Sequence, residues 1–484
     1  MESLNLEPRA VFGFFEKICN IPHGSKHEEQ ISAFLQQFGR ELGYETLADE
    51  VGNVLIKKPA FPGYEDRKCV ILQGHMDMVC DKRPDVAHDF LQDPIRLIVD
   101  GDWLKADGTT LGADNGIGVA AAMAVLADKN LKHGPVNCLF TVDEETGLTG
   151  AQALDKELLQ GDILVNLDSE DEGEIFIGCA GGVCTYADYR FIWDRVAGDM
   201  FFMQAEISNL TGGHSGDDIS KGRANANKLL NRFLCRIAEK YEFYLCSING
   251  GSLHNAIPRD ASAVFAIQSA DKENVRVEFN LFAAEVRDEY SVTEPNMQLV
   301  LQSTDPIHRC IDKETTKGLL MSINAVFNGV FAMSQDVPGL VETSSNLASV
   351  RMNDNTISIV TSQRSSIESA RDNVSHSVRS AFELGGAKVV SKGHYPGWKP
   401  NMNSQTMKVA CEQYTALFGG EAKIKAIHAG LECGLFLEKA PHLDMISFGP
   451  TMRGVHSPDE RLSISSTARF WQHLVALLEN IPQK

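Results

Sequence analysis

Cys69-Val70-Ile71-Leu72, followed closely by Gly74-His75-Met76-Asp77, is the stretch that decides the fold. The apolar run has the length of a buried strand, and it is followed by an imidazole with a carboxylate two residues on. Three further runs end in the same way. Val136 to Val142 leads to Glu144-Glu145, Ile163 to Leu167 leads to Asp168, and Met445 to Phe448 leads, after a short loop, to His456. Ligands of open α/β sheets gather in the crevice beyond the carboxyl ends of the strands. A fifth residue of this type, Asp114 in Gly112-Ala113-Asp114-Asn115-Gly116, stands just before a helix of small residues, Ile117 to Ala127. Imidazoles and carboxylates together bind hard and borderline metal ions, so the chain reads as a hydrolase with a metal centre.

Working outward from these runs, the chain up to about Gly182 alternates helices, Pro8 to Cys19 and Glu28 to Glu41, with short buried strands. That rhythm predicts a mostly parallel sheet. From Phe201 it changes to strand, helix, strand, strand, helix, strand, the split β-α-β order. A second, similar set follows, with helices near Lys313 to Phe327 and Ser366 to Leu384 and strands near Leu347 to Met352, Thr356 to Thr361 and Lys388 to Ser391. After Tyr395-Pro396-Gly397-Trp398 the first rhythm resumes. The metal-type residues lie only in the outer segments. The expected architecture is therefore α/β, a catalytic domain of residues 1–186 and 393–484 interrupted by an inserted α+β lid domain of residues 187–392, itself built of two ferredoxin-like halves.

Composition narrows the function further. The 484 residues exceed what one core usually serves, and 43% hydrophobic with 23% charged residues is ordinary for a globular protein. A formal net charge of −20 argues against binding nucleic acid or an anionic membrane surface. No apolar stretch approaches the roughly 20 residues of a membrane span. Met1 to Asn20 carries charges where a signal peptide needs its apolar centre, so a cytoplasmic protein is expected. The 11 cysteines are odd in number, scattered and without a Cys-x-x-Cys pair, as suits reduced thiols.

Each candidate also has an ordinary structural reading. A strand-end His is commonly a polar surface residue, Asp114 a helix cap, and Asp168 a turn former. Asp77 strengthens the case for His75, because a nearby carboxylate can take the second ring N–H and fix the tautomer. The Glu144-Glu145 pair is sharper. Two adjacent carboxylates repel unless a cation stands beside them, and at a strand end their side chains would point in different directions.

Seven motifs, in order along nearly the whole chain, resemble those of the co-catalytic metallopeptidase superfamily that contains dipeptidases, glutamate-type carboxypeptidases, aminoacylases and succinyl-diaminopimelate desuccinylases. They are Gly74-His75-Met76-Asp77, Gly112 to Gly116, Glu144-Glu145-Thr146-Gly147, Asn166-Leu167-Asp168-Ser169, Gly212-Gly213-His214-Ser215-Gly216, Asn255-Ala256-Ile257-Pro258 and Gly454-Val455-His456-Ser457-Pro458. Cys179 to Gly182, Gly222 to Leu230, His428 to Gly434 and His456 to Glu460 further resemble the bacterial aminoacyl-histidine dipeptidases. The resemblance implies two divalent metal ions bridged by Asp114, with His75 and Asp168 on one ion and Glu145 and His456 on the other. Zinc suits this donor set, and manganese or cobalt are compatible with its oxygen majority. The resemblance also implies that Asp77 orients His75, that Glu144 is the general base, and that the Asp114–Asn115 peptide is cis.

In the lid, the same resemblance makes His214, with Asn255 assisting, the stabiliser of the oxyanion. Arg364 would pair with the free carboxylate of a dipeptide, and Gly430 and Gly434 would let backbone approach the substrate. The implied activity is hydrolysis of unblocked dipeptides, Xaa-His substrates included, by a homodimer formed through the lid domain. Whether His214 serves its own subunit or a partner stays open. Two other readings use the same residues: an N-acyl amino acid deacylase or carboxypeptidase, and a metal-bound peptide sensor without catalysis, against which the presence of Glu144 argues. Two departures from the family pattern are the glycine before His75 and the third acid, Asp143, beside the glutamate pair.

Overall fold

The computed structural model describes residues 4–484 and divides into two compact units. One comprises the chain up to Gly178 with Trp398–Ala426 and Leu431–Lys484; the other comprises Cys179–Gly397 with Ile427–Gly430.

The first unit is built on an eight-stranded mixed sheet in the order Glu45–Ala48, Val54–Lys58, Val136–Thr141, Val70–His75, Ile163–Asn166, Asp444–Ser447, Glu174–Cys179, Lys423–Ile427. Its middle strands, Val136–Thr141, Val70–His75, Ile163–Asn166 and Asp444–Ser447, run parallel, so their carboxyl ends share one edge. These are the four runs read from the sequence. Every residue of Val70–His75 and Val136–Thr141 is buried, as expected of parallel strands covered on both faces. The helix Ala113–Ala127 is buried on almost every side, which its small apolar residues permit. Helix Arg9–Cys19 instead buries a single stripe, Val11, Phe12, Phe15, Ile18 and Cys19. Each such large apolar side chain contributes roughly 1.5–3 kcal/mol by leaving water.

A small four-stranded antiparallel sheet joins distant parts of this unit. Its order is Met452–Arg453, Arg461–Ser463, Trp103–Ala106, Leu97–Asp100. It fixes the loop carrying His456 against the segment that leads to Asp114.

The second unit is a nine-stranded antiparallel sheet with helices. Its main path runs Gln298–Ser303, Met200–Ser208, Ala261–Gln268, Phe243–Gly250, Val341–Asn353, Thr356–Ser365, Gly181–Arg190, Lys388–Tyr395, and Gly329–Met333 pairs with Val341–Asn353. The strand Gly181–Arg190 has no counterpart in the sequence reading, which begins the lid within it. It pairs with Thr356–Ser365, far along the chain, so no local pattern reveals its partner. The first β-α-β set, Met200 to Ser303, is thereby inserted between this strand and helix Lys313–Ala325.

Candidate metal centre

His75 closes its strand and is 1% exposed. Its Nε2 lies 3.2 Å from Asp114 Oδ1 and 3.3 Å from Asp168 Oδ1, while Nδ1 lies 3.3 Å from Asp77 Oδ1. The other oxygen of Asp114, Oδ2, is 3.1 Å from His456 Nε2, which is in turn 3.0 Å from Glu145 Oε2. One carboxylate thus stands between two imidazole-carboxylate pairs, His75 with Asp168 and His456 with Glu145. Ligand-type atoms of His75, Asp114 and Glu145 all lie within 4.8 Å of one another.

This donor set fits metal ions. Glu145 Oε1 is buried without a hydrogen-bond partner, and Asp168 Oδ1 has no well-aligned bond besides its 3.3 Å approach to the His75 ring, an arrangement that costs stability unless a cation takes the lone pairs. Both ring nitrogens of His75 face carboxylates, so the ring must carry two protons or meet a cation at Nε2.

The electrostatics follow from the same crowding. Burial alone would push the His75 imidazole down, but Asp168, Asp114 and Asp77 outweigh it and hold its pKa well above the usual value. Hydrogen bonds to Asp114 and Glu145 raise His456 to about 11. Burial, reinforced by Asp114 against the pull of His75, lifts Asp168 well above the carboxylate range. Burial is also the main cause that raises Glu144, with Asp168, Glu432 and Glu145 adding to it and His75 opposing.

Glu144 and Glu145 do not end a strand, as the sequence reading held. They open a one-turn helix, Glu144–Gly147, after Asp143 turns the chain at φ 48°. The cause is Asp77, whose oxygens accept the N–H groups of Glu144 at 3.0 Å and Glu145 at 3.3 Å and the Ser25 hydroxyl at 2.8 Å. One carboxylate therefore places both the His75 ring and the glutamate pair. Asp143 has its oxygens satisfied, since they accept the hydroxyls of Thr146, at 2.5 Å, and Thr149. The Asp114–Asn115 peptide is cis, as the resemblance implied.

Two buried glutamates without an assigned role in the sequence reading support the centre. Glu460 accepts the backbone N–H groups of Leu111, Gly112, Ala113 and Asp114 at 2.7, 3.1, 2.8 and 3.3 Å. Burial and the charge of Asp114 raise its pKa to about 7 against the pull of those N–H groups. Glu432 accepts Gln73 Nε2 at 2.7 Å and the Thr141 hydroxyl at 3.0 Å. Gln73 in turn accepts Asn166 Nδ2 at 2.6 Å, and Asn166 accepts the Ser447 hydroxyl at 2.5 Å. This chain of polar groups crosses the four parallel strands near their carboxyl ends. Its signal was a polar residue inside three of the apolar runs, Thr141, Asn166 and Ser447, and directly after the fourth, Gln73.

The remaining candidates, Gly434 excepted, lie in the second unit. The two-residue strand Gly213–His214 pairs with Ala256–Ile257, which brings His214 next to the exposed Asn255. His214 Nδ1 is 3.4 Å from Asp217 Oδ2, and Nε2 is 3.5 Å from Arg364 Nη2. Arg364, 8% exposed, also donates to the Tyr395 hydroxyl at 2.8 Å. Beside Arg364, His428 bonds the Ser344 hydroxyl through Nε2 at 2.7 Å, and burial with the arginine charge pushes its pKa down to about 3. The space beside Gly430 is taken by the Tyr395 ring, which a Cβ there would meet at 2.9 Å. Gly434 falls inside helix Glu432–Lys439 of the first unit.

The chain belongs to peptidase family M20/M25/M40, whose model matches residues 71–480, and this bears out the resemblance read from the motifs. Over 484 residues, 100% of both chains, it is 45% identical to the cytosol non-specific dipeptidase of Escherichia coli (strain K12). The crystal structure of aminoacylhistidine dipeptidase from Vibrio alginolyticus superposes with a TM-score of 0.95 at 43% identity, covering 100% of this chain and 99% of that one. The aminopeptidase PepT from Bacillus cereus, at 17% identity and a TM-score of 0.59, covering 98% of this chain and 99% of that one, shares the fold.

Proposed function

We propose that this protein is a metal-dependent dipeptidase of the cytoplasm that hydrolyses unblocked dipeptides, Xaa-His among them. The observation that carries the reading is the position of Asp114, each of whose oxygens faces its own imidazole-carboxylate pair. His75 and Asp168 would hold one divalent ion, His456 and Glu145 a second, with Asp114 shared. Zinc fits best, and manganese or cobalt fit the oxygen donors. When bound, two such ions supply Lewis-acid activation of a water and of the scissile carbonyl.

The chain's own groups do the rest. Asp77 holds His75 so that Nε2 faces the shared aspartate. Glu144, which neighbours His75, Asp168 and Glu145 without a ligand's place in either pair, takes a proton from the attacking water and delivers it to the leaving amine nitrogen. In the second unit His214, assisted by Asn255, stabilises the developing oxyanion, and Arg364 receives the substrate's terminal carboxylate, near Gly430. We read this unit as a lid of two split β-α-β modules, functionally residues 187–392 together with the strand that begins at Gly181. It is also the surface through which the protein forms a homodimer.

The test is turnover. Purified protein supplied with zinc or manganese is expected to release free histidine from an Xaa-His dipeptide, and Glu144→Gln to lower kcat by about 10²–10⁴-fold at unchanged metal content. Preference for acetylated or succinylated amino acids would make the protein a deacylase instead, and retained activity in the variant would mean that Glu144 is not the base.

A further inference from the structure

Arg364 is a buried cation with no carboxylate in direct contact among the described residues, the nearby Asp217 being engaged with His214. At 8% exposure it forms no ion pair among the described residues. Its Nε is buried and unpartnered, and its Nη2 makes only two contacts, each at 3.5 Å, to His214 Nε2 and Ser215 Oγ. A guanidinium left in that state is costly unless an anion arrives. Its one short bond is from Nη1 to the Tyr395 hydroxyl, at 2.8 Å.

Tyr395 is itself held on three sides. It ends the strand Lys388–Tyr395, and its carbonyl accepts Nη1 of Arg371, a fully buried arginine, at 3.0 Å. Its ring lies in a slot that exists because two neighbours are glycines. A Cβ on Gly182 would meet ring atoms at 2.5 Å, and one on Gly430 at 2.9 Å. A tyrosine so confined presents its hydroxyl at one fixed point. Accepting from Nη1, that hydroxyl sets the plane of the guanidinium and leaves Nη2 for a ligand.

We propose that Tyr395 is a positioning residue for substrate specificity. It orients Arg364 so that the guanidinium accepts the free terminal carboxylate of a dipeptide and rejects a neutral C-terminus. The proposal rests on the reading of Arg364 as the partner of that carboxylate. The glycines at 182 and 430 belong to the same device, since either side chain would displace the ring.

The experiment compares Tyr395→Phe, which keeps the ring and removes only the hydroxyl, with Arg364→Ala and the unaltered protein. For each, KM and kcat are measured on alanyl-histidine, and the binding of its C-terminal carboxamide is measured as substrate or competitive inhibitor. Tyr395→Phe is expected to raise KM for the free dipeptide about 5–30-fold with kcat within about 2-fold, and to leave carboxamide binding unchanged, since a bond to a charged group is weakened. The unchanged carboxamide constant also reports an intact fold. Equal losses on dipeptide and carboxamide, or no loss on either, while Arg364→Ala still discriminates between them, would overturn the role of Tyr395 alone. If Arg364→Ala itself weakens both ligands equally, the reading of Arg364 falls and takes this proposal with it.

Discussion

Glu460 touches none of the metal-type side chains, yet it takes four backbone N–H groups from the turn that carries Asp114. It also lies four residues after His456, so one short segment sets the positions of two members of the centre. Glu460→Gln keeps the shape but turns an amide N–H₂ toward two of those N–H groups. Metal affinity, measured by competition with a chromogenic chelator, is expected to fall about 10–100-fold while the fold persists. Unchanged affinity would show that the turn holds Asp114 without help. At this scale the sequence was informative where chemistry and position coincide. His75, Asp114, Asp168 and His456 are polar residues at or just beyond the ends of elements, and the cluster gathers them together with Glu145. Glu460 and Glu432 were not legible in the same way, because their work is to accept hydrogen bonds from groups 349 and 359 residues distant.

Between strand Val70–His75 and helix Ala113–Ala127 the Asn115 side chain fills the gap, and its Nδ2 donates to the Leu167 carbonyl at 2.7 Å. A Cβ on Gly74 would stand 2.2 Å from Asn115 Oδ1, and one on Gly118 2.5 Å from it. The glycine before His75, which departs from the family pattern, is explained by this close approach. Gly74→Ala is expected to destabilise the protein by about 1–3 kcal/mol in urea unfolding, because the pinned amide cannot swing away. A stability within 0.5 kcal/mol of the parent, about the size of a neutral surface change, would show that the gap is slack. Elements with local signatures were legible: helices Arg9–Cys19 and Glu29–Glu41 each begin one residue later than expected. The turn at Glu144 was not, since the N–H groups of Asp143 and Glu144 are taken by Glu28 and Asp77, 115 and 67 residues away, around the left-handed φ of Asp143.

For the molecule as a whole, the first unit concentrates charge that it does not neutralise. Asp114, Glu145 and Asp168 meet two imidazoles, and Glu145 Oε1 is left buried without a hydrogen-bond partner. Bound divalent ions should therefore stabilise the folded state, each by about 2.7 kcal/mol at a hundredfold excess over Kd. Chelation is expected to lower the calorimetric Tm by several degrees and re-addition of zinc to restore it; a melting curve indifferent to both chelator and added zinc would mean that the centre holds no metal. The change of rhythm near Phe201 falls within the second of the two units, whose bounds are Cys179–Gly397 with Ile427–Gly430. The strand Gly181–Arg190 was hidden, because the two strands it pairs with, Thr356–Ser365 and Lys388–Tyr395, lie far along the chain.

The most direct measurement is anomalous diffraction at the zinc edge from crystals grown with zinc. The account predicts two peaks per chain, one between His75 and Asp168, the other between His456 and Glu145, with one oxygen of Asp114 toward each and Glu144 bound to neither. A single peak, or peaks away from Asp114, would contradict it.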